Sequence, residues 1–164
     1  GFGHLLGDEG SGYHLVITAL KQIITQYEEN KEISALSQAI LEHIGATEYS
    51  QIKDFVYTSS KQQVAQLSGF IARYAEEDNM EAIQLFKEEG LHLARQTIMA
   101  FQKINNCHKV TIGFRGNFLL HAPFVLNTMM TELNQHNLEY TIDSDPVEPV
   151  VGAYYLGLSH LKRG

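Results

Sequence analysis

At 164 residues, with 44% apolar and 19% charged side chains, the chain can form one ordinary domain with a sizeable core. A net charge of −7, with Lys and Arg scattered singly except at Lys162-Arg163, excludes a basic footprint for nucleic acid. No apolar run approaches the ~18 residues of a membrane span, and the single cysteine, Cys107, excludes an intrachain disulfide framework.

A lone cysteine and no secretory leader fit a reducing cytoplasm, the expected location. One thiol also argues against an iron–sulfur cluster, which usually needs about four thiolates. Opening on Gly-Phe-Gly without methionine, the chain reads as a piece of something longer.

Residues 1–14, Gly-Phe-Gly-His-Leu-Leu-Gly-Asp-Glu-Gly-Ser-Gly-Tyr-His, place five glycines around the carboxylates Asp8 and Glu9. Such glycine density predicts a tight loop whose backbone needs positive φ or close approach to another group. Ser11 stands where an N-cap is expected, just before an apolar periodicity that starts at Leu15. The alternative is a capped turn with no ligand. A dinucleotide fingerprint fits poorly. Gly1-x-Gly3-x-x-x-Gly7 has one residue too many, and the pattern needs a strand upstream. Asp8 and Glu9 would also repel a pyrophosphate from the helix N-terminus. Carboxylates among glycines suit a neutral polyol better, because ionised oxygens accept hydrogen bonds from hydroxyls.

A first helix is predicted over about 11–29, from the stripe of Leu15, Val16, Ala19, Leu20, Ile23, Ile24 and Tyr27. A second spans about 34–44 and stops at Gly45. Thr47 is expected to cap a short third helix with Ile52, Phe55 and Val56 inward, although Val56-Tyr57-Thr58 could equally be extended. Ser59 or Ser60 opens a fourth, with Val64, Leu67, Ile71 and Tyr74 on one face. The turn Glu76-Glu77-Asp78-Asn79 caps a long fifth helix from Met80 to Asn105. Gly90, inside it, costs about 1 kcal/mol relative to alanine unless something packs closely there.

The pattern then changes. Lys109–Gly113 is a β-branched run, followed by Phe114-Arg115-Gly116-Asn117 and a helix over about 120–136 with Pro123 in its first turn. Leu138–Ile142 alternates as a second strand, Asp143–Pro146 makes a turn, and Pro149 opens a last helix, Val150 to Leu161. This is a parallel α/β unit, whose ligand crevice lies beyond the strands' carboxyl ends. A glycine at such an end lets a nucleoside lie against bare backbone.

Three stretches together carry a resemblance. Gly1-Phe-Gly…Gly-Asp-Glu-Gly-Ser, Val110-Thr-Ile-Gly-Phe-Arg-Gly116-Asn, and Pro149-x-x-Gly152-Ala153 resemble, in order, motifs of N-acetylglucosamine kinases and BadF/BadG/BcrA/BcrD-type ATPases. Arg115-Gly116 stands where the family often has Gly-Gly. The resemblance implies the C-terminal lobe of an actin-like (ribonuclease H-like) sugar-kinase fold, α/β and helix-rich with a short, mainly parallel sheet and a helical insertion. Residues 1–14 would form the sugar-binding loop, 15–105 the helical part and 109–164 the nucleotide-binding part. The N-terminal lobe, its phosphate loops and the Asp general base would be missing.

The implied activity is ATP-dependent phosphorylation of N-acetylglucosamine or a related amino sugar, with Mg²⁺, this piece alone being inactive. The sugar would lie on Gly1, Phe2 and Gly3, with Asp8 accepting from its hydroxyls. Gly116, Asn117 and Leu120 would border the adenosine. No catalytic residue and no metal ligand is assigned to this chain. The expected partners are the sugar and ATP, with neither nucleic acid nor membrane. The sheet edge left by the missing strands would be covered by the rest of the protein or by another chain, as in a homodimer. Two alternatives stay open: a non-catalytic sugar-sensing module, and an activator ATPase, against which the lone cysteine counts. The eight histidines include no H-E-x-x-H or other tight ligand spacing, and Cys107 beside His108 lacks an orienting third group.

Overall fold

The computed structural model describes residues 2–7, 11–103, 109–114, 122–136, 138–143 and 161–163. Their order is β1 (Phe2–Gly7), α1 (Ser11–Glu28), α2 (Ala35–Ile44), α3 (Ser50–Thr58), α4 (Lys61–Glu76), α5 (Met80–Gln102), β2 (Lys109–Phe114), α6 (Val125–Gln135), β3 (Tyr140–Asp143) and β4 (Leu161–Arg163). The chain divides into two compact units, one of residues 1–11 with 87–164 and the other of residues 12–86.

The helical unit is built from local signals. In α1, Leu15, Val16, Ala19, Leu20 and Ile23 are buried, as the apolar stripe requires. Ser34 caps α2 by accepting from Ser37 N, and Gly45 closes it in the left-handed conformation at φ 76°. Ser60 and Gln63 form a reciprocal capping box at α4. Asn79 Oδ1 accepts from Ala82 N at 2.9 Å and starts α5. Ile52, Val64, Leu67 and Ile71 are buried as the periodicity predicts, and Val56–Thr58 are helical. Thr47 acts differently from expectation. Its N–H and hydroxyl both donate to Gln51 Oε1, so the glutamine supplies the acceptor at the start of α3. Gln26 ties the corners by donating to Glu81 Oε1 and accepting from Ser34 N, each at 3.3 Å.

The other unit holds a four-stranded sheet in the order β3-β2-β1-β4. β1 pairs parallel with β2, β2 pairs parallel with β3, and β4 runs antiparallel on the far side of β1. The expected parallel neighbours are present, the first at 109–114 and the second at 140–143, two residues later than the start expected at 138. The first stretch differs. Residues 2–7, predicted as a loop, form an inner strand, because pairing on both sides satisfies their backbone groups and overrides the local turn chemistry. The last helix was expected to reach Leu161, which instead begins β4; residues 150–160 lie outside the described set.

Helix α6 begins at Val125, later than expected, and Pro123 falls before it in a turn. Phe124, between them, is left-handed at φ 67°, a strained position for a bulky side chain that breaks helical continuity. Gly90 explains how α5 and α6 meet. A Cβ on Gly90 would lie 2.6 Å from Val125 O and 2.9 Å from Thr128 Cβ, so only glycine lets the helices approach this closely. Around this crossing Leu93, Ala94, Thr97, Met129 and Leu133 are buried.

Gly90→Ala should therefore destabilise the protein by about 1–3 kcal/mol, the usual cost of overpacking, despite alanine's better helix propensity. Gly69 in α4 has nothing within 4 Å of its would-be Cβ. Gly69→Ala should stabilise by about 0.5–1 kcal/mol. Urea unfolding of both variants checks this; two gains of equal size would contradict the close crossing.

Candidate functional site

Three parallel strands end on the same side of the sheet. Gly7, the last residue of β1, is opposite Phe114, the last of β2, and Gly113 is opposite Asp143 at the end of β3. In open α/β sheets, ligands bind outside these carboxyl ends. The antiparallel β4 enters at Leu161 opposite Leu5, close to this end. The chain thus departs at Asp143 and returns at Leu161 on one side of the sheet.

The predicted site residues are distributed unevenly over this frame. Phe2 and Gly3 lie at the amino end of β1, opposite Lys109 and Val110. Four residue steps along the strand separate Gly3 from Gly7, roughly 13 Å at the usual rise. Gly3 also faces Arg163 on its other side, so its backbone stands between two ladder partners rather than lining a loop. Gly1, Asp8, Gly116, Asn117 and Leu120 lie outside the described residues, as do Glu9 and Cys107. Three residues of sequence, Asp8-Glu9-Gly10, connect Gly7 to Ser11. The structure therefore does not group Phe2 and Gly3 with the end of β1 that leads to Asp8.

Ser11 is the residue that the sequence reading underrated. Expected as an N-cap, it is the first residue of α1 and only 3% exposed. Its Oγ has no hydrogen-bond partner among the described residues. A buried hydroxyl left without a partner costs about 1–3 kcal/mol. Its position immediately after Asp-Glu-Gly was the available signal.

Elsewhere, a groove of about 610 Å³ lies between α6 and the edge strand β3, lined by Met130, Asn134, Leu138, Tyr140 and Ile142. Tyr140 Oη donates to Asn134 Oδ1 at 3.0 Å. Glu139 is the one ionisable carboxylate in its lining, so the groove holds no acid–base pair. Two histidines have evident structural roles. His43 stacks on Phe70 with centroids 4.2 Å apart, and His136 lies 3.5 Å from Glu132. Met129 is buried in the core, as its place on the apolar stripe of α6 predicts.

Over 163 residues the chain is 23% identical to the N-acetylmuramic acid/N-acetylglucosamine kinase of Clostridium acetobutylicum, covering 97% of this chain and 53% of that protein. The chain is a distant relative of an amino-sugar kinase. It spans about half the length of that relative. No family model matches it. The helix-rich α/β architecture with a short, mainly parallel sheet is compatible with part of a kinase lobe. Among the described residues no helix is long and apolar enough to cross a membrane.

Proposed function

We propose that this chain is part of an ATP-dependent kinase for an amino sugar, N-acetylglucosamine or a close relative of it. The observation that carries this reading is the side-by-side ending of β1 and β2 just before Asp8-Glu9 and Arg115-Gly116-Asn117. The kinase similarity over the chain's length supports it. Adjacent strands are about 4.8 Å apart, so connections leaving Gly7 and Phe114 start as neighbours. That spacing suits a sugar and a nucleotide that must meet.

In this reading Asp8, acceptor-only when ionised, takes hydrogen bonds from the sugar hydroxyls. Glu9 contributes negative charge near the N-terminus of α1, which the helix dipole favours. Gly116 gives the adenosine a bare backbone surface, bordered by Asn117 and Leu120. ATP supplies the phosphoryl group and Mg²⁺ neutralises its charge in such transfers. The chain's own part is positioning. The base that takes the proton from the sugar hydroxyl is expected in the remainder of the full-length protein.

Two substitutions test the assignment in the full-length protein. Asp8→Asn should leave folding intact, since Asn caps about as well as Asp, and weaken sugar binding by about 1.5–3 kcal/mol, the range for a hydrogen bond to a charged group. Calorimetric titration of N-acetylglucosamine into wild type and variant reads this directly; equal affinities would make Asp8 a structural residue. Gly116→Val should raise the KM for ATP and spare sugar affinity, as followed by ADP release. Sugar binding without sugar-dependent ADP release would instead identify a non-catalytic binding module.

A further inference from the structure

The β3 edge of the sheet takes no part in the site proposed above. Among the described residues β3 has a ladder partner on one side only, β2, so it presents a row of backbone donors and acceptors outward. It contains neither Lys nor Pro, two residues that commonly blunt such edges. Side chains alternate along this edge: Leu138, Tyr140 and Ile142 are half-buried, whereas Glu139 and Thr141 are exposed. Tyr140 reaches α6, where its hydroxyl meets Asn134 and the Met130 carbonyl. The cover that α6 gives is incomplete. Ile112 of β2 is fully buried, but Ile142, its ladder partner, is not, and Ile142 lines the open groove with Leu138 and Met130. The adjoining helix is poor in charge: Glu132 is the one charged residue of α6, in a protein of net charge −7.

We propose that this edge is a dimer interface, at which β3 of one copy pairs antiparallel with β3 of a second copy across a twofold axis. The inference does not depend on the kinase reading. The pattern of charge selects the second copy and its register. A twofold axis perpendicular to the sheet passes beside one residue of the strand and pairs residues of the same face, as an isologous contact requires. Beside Glu139 the axis would set two Glu139 carboxylates opposite each other. Beside Thr141 it would set Glu139 opposite Asp143 twice. Like charges directly opposite are destabilising, and beside Tyr140 neither clash occurs. Tyr140 then meets Tyr140, Leu138 meets Ile142, and Glu139 meets Thr141, whose hydroxyl can donate to the carboxylate. The half-buried residues of both copies come together on the α6 face, beside Met130. A surface with Tyr and Met and little charge has the composition of an interface core.

Sedimentation velocity of the full-length protein over a range of concentrations tests this with wild type, Thr141→Glu and Thr141→Lys. Thr141 is exposed, so neither substitution should disturb the fold, which circular dichroism checks. Wild type should dimerise as its concentration rises. Thr141 faces Glu139 of the second copy twice in each dimer. Thr141→Glu should therefore raise the dimer dissociation constant about fivefold to tenfold, and Thr141→Lys should lower it by a similar factor, the size expected of two cross-strand charge pairs. Combining Thr141→Glu with Glu139→Lys should restore dimerisation. Wild type that stays monomeric at every concentration would overturn the inference, and is the result expected if other residues of the longer protein cover β3. A dimer whose strength neither substitution changes would overturn it too, because its interface would lie elsewhere. Weakening by both substitutions would exclude the Tyr140-centred register and overturn it equally.

Discussion

Six register pairs, from Phe2↔Lys109 to Gly7↔Phe114, hold β1 and β2 side by side although they are more than a hundred residues apart in sequence. This ladder turns a glycine-rich stretch into an inner strand. It sets the carboxyl ends of β1 and β2 together and gives β4 a strand to pair with on the other side. Closing so long a loop costs entropy, but the cost rises only logarithmically with length. Placing a run of helices between the two strands therefore adds little to the closure cost over a shorter connection.

Those intervening helices form a contrasting kind of structure. Residues 12–86 are held by caps and stripes that each operate within a few positions: Ser34 with Ser37, Ser60 with Gln63, Asn79 with Ala82, and Gly45 beyond α2. Such interactions need no distant partner. The sheet-bearing unit depends on long-range pairing and on the close approach at Gly90, where α6 backbone fills the space that a side chain would take. A glycine that weakens an isolated helix is thereby turned into a packing requirement.

The chemistry of the candidate site concentrates at one end of the sheet. Gly7, Phe114 and Asp143 end there, and Leu161 enters close by. Phe2 and Gly3 sit at the opposite end of β1, their backbones committed to the ladders. The kinase to which the chain is similar is about twice as long.

The sequence by itself determined the five helices between residues 11 and 102 and the parallel β2–β3 pair, because apolar periodicity, caps and β-branched runs are local signals. Val64, Leu67 and Ile71 announced the buried face of α4 directly. Ser59 or Ser60 was expected to open that helix, and Ser60 does so with Gln63 completing the cap. It also supplied the Asp8-Glu9 motif, on which the expectation of a polyol rests. Only the tertiary structure decided that residues 2–7 form a strand, that Leu161–Arg163 pair antiparallel with them, and that Gly90 admits α6. Each of these depends on a partner distant in sequence. Glycine content reads the same in a turn and in a strand until the neighbouring backbone is in place. Ser11 followed the same logic: its sequence position suggested a cap, and the structure makes it the buried first residue of α1.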